Sequence, residues 1–337
     1  EICACLVGSE MCIRDSNDKV ETVLTELVST LSSIIPHSKG EAKLLGIDIT
    51  EARKNMIADD KCLDLNDYLT KFFIPGEVMQ SKKNLELISE ELAADLEEDG
   101  VIYAEIRFAP LKHVFKGLSL DEVVESVLKG LAKKSLKTNL ILCMMRGDKE
   151  EDNIKVVDLA ERFLNRGVVA LDLAGAESIY KTIDYKNLFA YAKGKNIPFT
   201  IHAGEADGKD SMKAAIDFGA KRLGHGVNAI FHKELLEEIR QKDILLEICP
   251  TSNVQTNVIK DIKYHPVRKL YDANILVSIN TDNNTVSNVT LTTEYEKLAQ
   301  KLNFTYKDFV KMNKDAIRHA FISEDAVSYT HLTLPTT

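Results

Sequence analysis

Seven short apolar runs, separated by amphipathic stretches, constrain this chain more than any other feature of its sequence. They cover residues 101–108, 140–145, 168–173, 198–201, 221–223, 244–248 and 275–279. Most are rich in Val, Ile and Leu, and they are too short and too continuous for surface helices. That pattern predicts strands buried on both faces of a parallel sheet. Between them, Ser119-Leu120-Asp121-Glu122 predicts a capping box, and VVESVLKGLAKK follows it with apolar residues at three-four spacing. Residues 153–165, 185–192, 212–218, 234–241, 295–302 and 306–321 read as further helices, and 17–98 as mostly helical.

Strand alternating with helix means a parallel sheet, either a closed barrel or an open doubly wound sheet. Polar clusters decide between them. They fall at the ends of successive runs, at 172–177, 202–205, 224–226, 249–253 and 280–283. An open sheet gathers its site at one switch point, whereas a barrel builds it from the ends of several strands. The expectation is therefore an α/β protein with a TIM (β/α)8 barrel, of which seven strands are legible.

Several of these clusters carry chemistry. His202-Ala203-Gly204-Glu205 pairs an imidazole suited to zinc with a carboxyl that can move protons. Gly224-His225-Gly226 exposes a ring between residues that let the backbone approach closely, although a plain glycine-rich turn accounts for it equally well. Asp282 is an oxygen ligand or a helix cap. Cys249-Pro250-Thr251-Ser252-Asn253 reads as a proline-containing loop, and the isolated Cys143 and Cys249 as inert core thiols. A formal charge of −9 without any Lys/Arg-rich block argues against nucleic acid as a partner. No apolar run approaches the roughly 20 residues of a membrane span, so a cytoplasmic protein is expected.

Taken together and in this order, the clusters resemble the adenosine/AMP deaminase family, in its bacterial adenosine deaminase form. The likeness runs through YAEIRFAP (103–110), DLAGAE (172–177), TIHAGE (200–205), LGHG (223–226), EICPTSNVQT (247–256) and SINTDN (278–283). It implies a barrel of the metal-dependent hydrolase type that uses zinc to convert adenosine or 2′-deoxyadenosine to inosine or 2′-deoxyinosine and ammonia in purine metabolism. His202 and Asp282 would be zinc ligands, and Glu205 the proton donor to the purine ring. His225 would orient or deprotonate the attacking water. The backbone N–H of Gly175 would hold the purine, a nucleoside being the partner, and Asn283, where many relatives have Asp, would contact its far edge. The cytidine-type signature, H-x-E with P-C-x-x-C, is met only by the chance triplet His232-Lys233-Glu234, which is assigned to a helix start.

The family's first strand carries a His-x-His pair of zinc ligands, which alternate strand residues aim at one side. The eight histidines here are at 37, 113, 202, 225, 232, 265, 319 and 331, and none stands two residues from another. His37 and His113 are expected in surface or loop positions. Residues 1–16 and 326–337 resemble translated sequencing-adapter read-through and are set aside as non-native tails. That leaves one domain over 17–325, with the first strand missing from the native sequence. With two zinc ligands and two unpaired strand edges, the chain as written is expected to be poorly stable and inactive. Deamination of adenine or a modified adenosine, and a catalytically dead purine-binding protein, are the alternative readings.

Overall fold

A computed structural model describes residues 8–10, 54–58 and 62–322. Eight parallel strands alternate with helices. The strands are β1 (Gly8–Glu10), β2 (Tyr103–Phe108), β3 (Lys137–Met145), β4 (Val168–Ala174), β5 (Thr200–Ala203), β6 (Arg222–His225), β7 (Leu245–Ile248) and β8 (Val277–Ile279). They pair in chain order as two four-stranded sheets, β1 to β4 and β5 to β8. A bridge between Leu171 and Phe199, with the Leu171 N–H donating to the Pro198 carbonyl at 3.0 Å, joins the two halves. Among the described residues no ladder links β8 back to β1.

All seven expected strands are present, with ends shifted by up to three residues. The count rises to eight because Gly8–Glu10, inside the stretch set aside as a tail, occupies the first-strand position. There Gly8 pairs with Glu105 and Glu10 with Arg107. His37, the cysteines at 3, 5 and 12, and the tail over 326–337 lie outside the described residues.

Among the described residues, the helices with defined bounds before β2 are α1 (Leu65–Thr70), α2 (Phe73–Val78) and α3 (Lys82–Glu98). The crossover helices are α4 (Leu120–Leu131), α5 (Glu150–Phe163), α6 (Lys186–Gly194), α7 (Lys209–Phe218) and α8 (Lys233–Gln241). Two short helices, α9 (Pro250–Gln255) and α10 (Val267–Asp272), precede β8, and α11 (Leu291–Leu302) and α12 (Tyr306–Arg318) follow it. The expected box opens α4: Ser119 Oγ accepts from the Glu122 N–H, and Glu122 accepts from the Ser119 N–H. His232 stands at the residue before α8, without a side-chain capping bond, and Lys233 and Glu234 open the helix. The expected loop at Pro250 is instead the first turn of α9, as suits a proline whose missing N–H costs nothing there. Among the described residues no helix is long and apolar enough to cross a membrane.

Strand alternation explains both the core and the site. On β2, Ala104, Ile106 and Phe108 join the large apolar core, whereas Tyr103, Glu105 and Arg107 form the intervening set. The same division holds for Ile201 against His202, Leu223 against Arg222, and Leu246 against Glu247. The intervening residues meet in a buried ladder of charges. Arg222 pairs with Glu105 at 2.6 Å and Glu247 at 2.8 Å; Arg107 pairs with Glu247 at 3.0 Å and Asp172 at 3.1 Å. The strands are thus apolar towards the helices and ionic towards the barrel axis.

One buried carboxyl outside this ladder has a measurable consequence. Glu294, on α11, is 1% exposed. Burial pushes its pKa from 4.5 up to about 7, against the pull of Lys297. Between those values the folded state binds more protons than the unfolded chain, so stability falls as pH rises through that window. Glu294→Gln should remove the decline and stabilise the protein at pH 8 by up to ~3 kcal/mol. Urea denaturation at pH 5 and pH 8 checks this; an equal pH dependence in both proteins refutes it.

Candidate active site

Five sequence-predicted residues lie where strands end. His202 is on β5 and His225 closes β6, while Gly175 follows β4 and Asp282 and Asn283 follow β8. Glu205 follows β5 by two residues. Nine described non-glycine residues have positive φ; eight are Asn or Asp, and His225, at 61°, is the other. A histidine held in the left-handed region is strained, and such strain collects at functional sites. Asp282, at φ 59°, shares that conformation and caps none of the labelled helices; Thr290 caps α11 instead.

A small cavity of about 10 Å3 is lined by Arg107, His202, His225, Cys249 and Asp282, among others. His202 Nδ1 lies 2.8 Å from Asp172 Oδ2, so Asp172 anchors one ring nitrogen while the ring faces the cavity. Burial alone would raise the Asp172 carboxyl, but His202 and Arg107 outweigh it and hold the group below the usual carboxylate range. Ligand atoms of His225, Cys249 and Asp282 lie within 4.8 Å of one another.

Glu205 is buried. Its Oε1 accepts from Thr256 Oγ1 at 3.1 Å and Asn253 Nδ2 at 3.4 Å, and its Oε2 lies 3.5 Å from His225 Nε2. Burial pushes this carboxyl above its ordinary value; Asp282 adds to the rise, and His225 and His202 oppose it. The loop that carries it is fixed by Glu177. That carboxylate accepts from the N–H groups of Gly204, Glu205, Ala206 and Asp207 and from Ser211 Oγ, at 2.5–3.1 Å.

A larger cleft begins one residue along β2, at Phe108. Phe72, Met79, Phe108, Phe115 and Met145 give it apolar walls, and Gly175 stands at its edge. Its one described ammonium, Lys112, is paired with both oxygens of Asp148 at 2.8 Å. Gly175 has φ 103°, a conformation that favours glycine. Asn283 is buried beside Asp282, to which its amide donates at 3.4 Å.

Two expectations are corrected here. His113 is neither in a loop nor at the surface: it closes a short 3-10 helix, Pro110–His113, is 5% exposed, its Nδ1 lies 3.0 Å from the Met79 carbonyl oxygen, and burial lowers its pKa to about 4. Cys143 and Cys249 are buried, but they line the two cavities rather than the apolar core. Burial, reinforced by Asp282, pushes the Cys249 thiol well above its ordinary value and keeps it protonated. Asp172, Arg107, Glu177, Asn253, Thr256 and His265 were given no role from sequence. Their signal was polar side chains at every second residue of apolar strands, and polar positions in motifs already recognised.

The chain has relatives among known proteins. A model of the adenosine deaminase family matches residues 33–329. An adenosine deaminase from Enterococcus faecalis is 40% identical over 274 residues, covering 80% of this chain and 81% of that protein. Among solved structures, Arabidopsis ADAL complexed with IMP superposes with a TM-score of 0.83 at 24% identity, over 98% of this chain and 95% of that one. An amidohydrolase from Burkholderia ambifaria with bound zinc gives 0.80 at 16% identity, over 98% and 89%. The extent of the family match and the identity to the Enterococcus enzyme together show that the chain belongs to the adenosine deaminase family.

Proposed function

We propose that this protein hydrolyses adenosine and 2′-deoxyadenosine to the corresponding inosines and ammonia, with zinc, in cytoplasmic purine metabolism. The observation that carries the reading is a buried carboxyl, Glu205, raised above its ordinary pKa and set beside His225, Asp282 and His202.

The donor set fits zinc in part. His202, with Nδ1 anchored by Asp172, has the arrangement of a metal-binding histidine, and Asp282 adds an oxygen. Zinc, when bound, lowers the pKa of water towards ~7 and so supplies hydroxide at neutral pH. The small cavity is below the roughly 300 Å3 of typical ligand pockets, which leaves the larger cleft for the nucleoside. There the Gly175 N–H holds the purine, and Asn283, beside Asp282, contacts its far edge. Apolar walls, with Lys112 already engaged by Asp148, suit an uncharged sugar better than a nucleotide.

Glu205, kept protonated by burial, donates to N1 of the purine and prevents negative charge from building on the ring as C6 is attacked. His225 holds the attacking water. Two protein ligands bind zinc weakly, so turnover is expected only with zinc in excess and not in the chain as isolated. With zinc in excess, the adenosine absorbance should decay with stoichiometric release of ammonia, and chelation should stop it. Adenine run alongside should not react; faster turnover of adenine than of adenosine, or none of either with zinc, defeats the proposal.

A further inference from the structure

His225 Nδ1 does not face the cavity's acid; it is tied into a chain of buried groups running away from it. The chain begins at a group whose role is fixed. The Val267 backbone N–H, at the start of α10, can only donate, and it donates to His265 Nδ1 at 3.1 Å. His265 Nδ1 is therefore an acceptor. The ring is 3% exposed, and burial lowers its pKa to about 3, so the imidazole stays neutral. A neutral ring that accepts at Nδ1 carries its proton at Nε2.

His265 Nε2 lies 3.2 Å from Asn253 Oδ1, so the amide oxygen accepts there. That orientation turns the Asn253 NH2 towards His225 Nδ1, at 2.9 Å. The opposite orientation would set the NH2 against the His265 N–H, donor against donor. The same NH2 reaches Glu205 Oε1 at 3.4 Å, an acceptor, which agrees with this orientation. Asn253 is fully buried, so no water competes for either contact.

We infer that His265 and Asn253 are positioning residues that fix the tautomer of His225, with Nδ1 bare and the proton on Nε2, facing Glu205 and the cavity. This rests on the deaminase reading for its significance and refines it. In the resting state His225 is a hydrogen-bond donor towards the attacking oxygen, and Nε2 is not available to accept that oxygen's proton. Of the two roles the family resemblance leaves to this histidine, orientation is the one the buried chain supports.

The test is a 15N–1H spectrum of the histidine side chains in the full 15N-labelled chain, with His225 assigned by its loss in His225→Gln. The expected result is an unprotonated, pyridine-type Nδ1 and a protonated, pyrrole-type Nε2. A pyrrole-type Nδ1 overturns the inference, and this measurement needs no substituted relay residue to fold. Asn253→Asp removes the donor and places only acceptors beside Nδ1. It should move a proton onto that nitrogen, and an unchanged His225 signal there also overturns the inference. Both spectra are read without substrate or zinc. Failure of adenosine turnover in the unsubstituted chain would therefore strike the deaminase reading alone.

Discussion

Glu205→Gln should lower kcat for adenosine by about 10²–10⁴-fold, the usual range for loss of a general acid, while KM changes little. The reason is geometric. An amide of the same shape can still donate a hydrogen bond to N1 of the purine, so binding survives, but it has no proton to transfer. Thr256 and Asn253 both reach Oε1 of the carboxyl, and the isosteric amide keeps that anchorage. The pH dependence has a definite sign. Burial raises the acid's pKa, the protonated form is the active one, and activity governed by Glu205 is lost as pH rises through that raised value. Steady-state kinetics with zinc in excess settle it; a variant within tenfold of the parent would remove Glu205 from its proposed role.

The largest stability effect is expected at the base of the barrel. Arg222 is fully buried, pairs with Glu105 and Glu247, donates to the His319 carbonyl at 3.2 Å and stacks 3.9 Å from the Phe321 ring. Arg222→Met keeps much of the volume but leaves Glu105 without its cation and Glu247 with Arg107 alone. Breaking a buried pair from one side costs ~3–5 kcal/mol, because the stranded charge pays its desolvation uncompensated. Adding Glu105→Gln, which leaves the Arg107–Glu247 pair intact, should recover much of that loss. Denaturation midpoints of the single and double variants provide the measurement. A single variant within 1 kcal/mol of the parent would mean that the ladder is not the barrel's ionic core.

Much of this molecule was legible in its sequence because apolar continuity is a strong signal. Runs such as LILCMM and VVALDLA, too short and too continuous for surface helices, suit strands buried on both faces of a parallel sheet. The polar strand ends then located His202, Glu205, His225 and Asp282, which the fold gathers at one mouth. The ionic ladder was missed because Glu105, Arg107 and Glu247 look like interruptions of apolar strands, when period-two alternation makes them a second face. Glu177 and His265 escaped for a different reason. Each acts on groups that are distant in sequence, Glu177 on backbone N–H groups at 204–207 and His265 on Asn253, and no local spacing encodes such contacts. Gly8–Glu10 was missed because three residues without apolar pattern carry no strand signal; only their ladder to β2 defines them.

The five donors gathered by Glu177 decide which side of the cleft can yield. Swinging residues 204–207 outward would strand a deeply buried carboxylate, so that wall is a fixed anvil and the acid is aimed before any ligand arrives. If the proposed substrate is bound, its passage falls to the short helices over 65–78, which line the larger cleft and where Phe73 is already half in solvent.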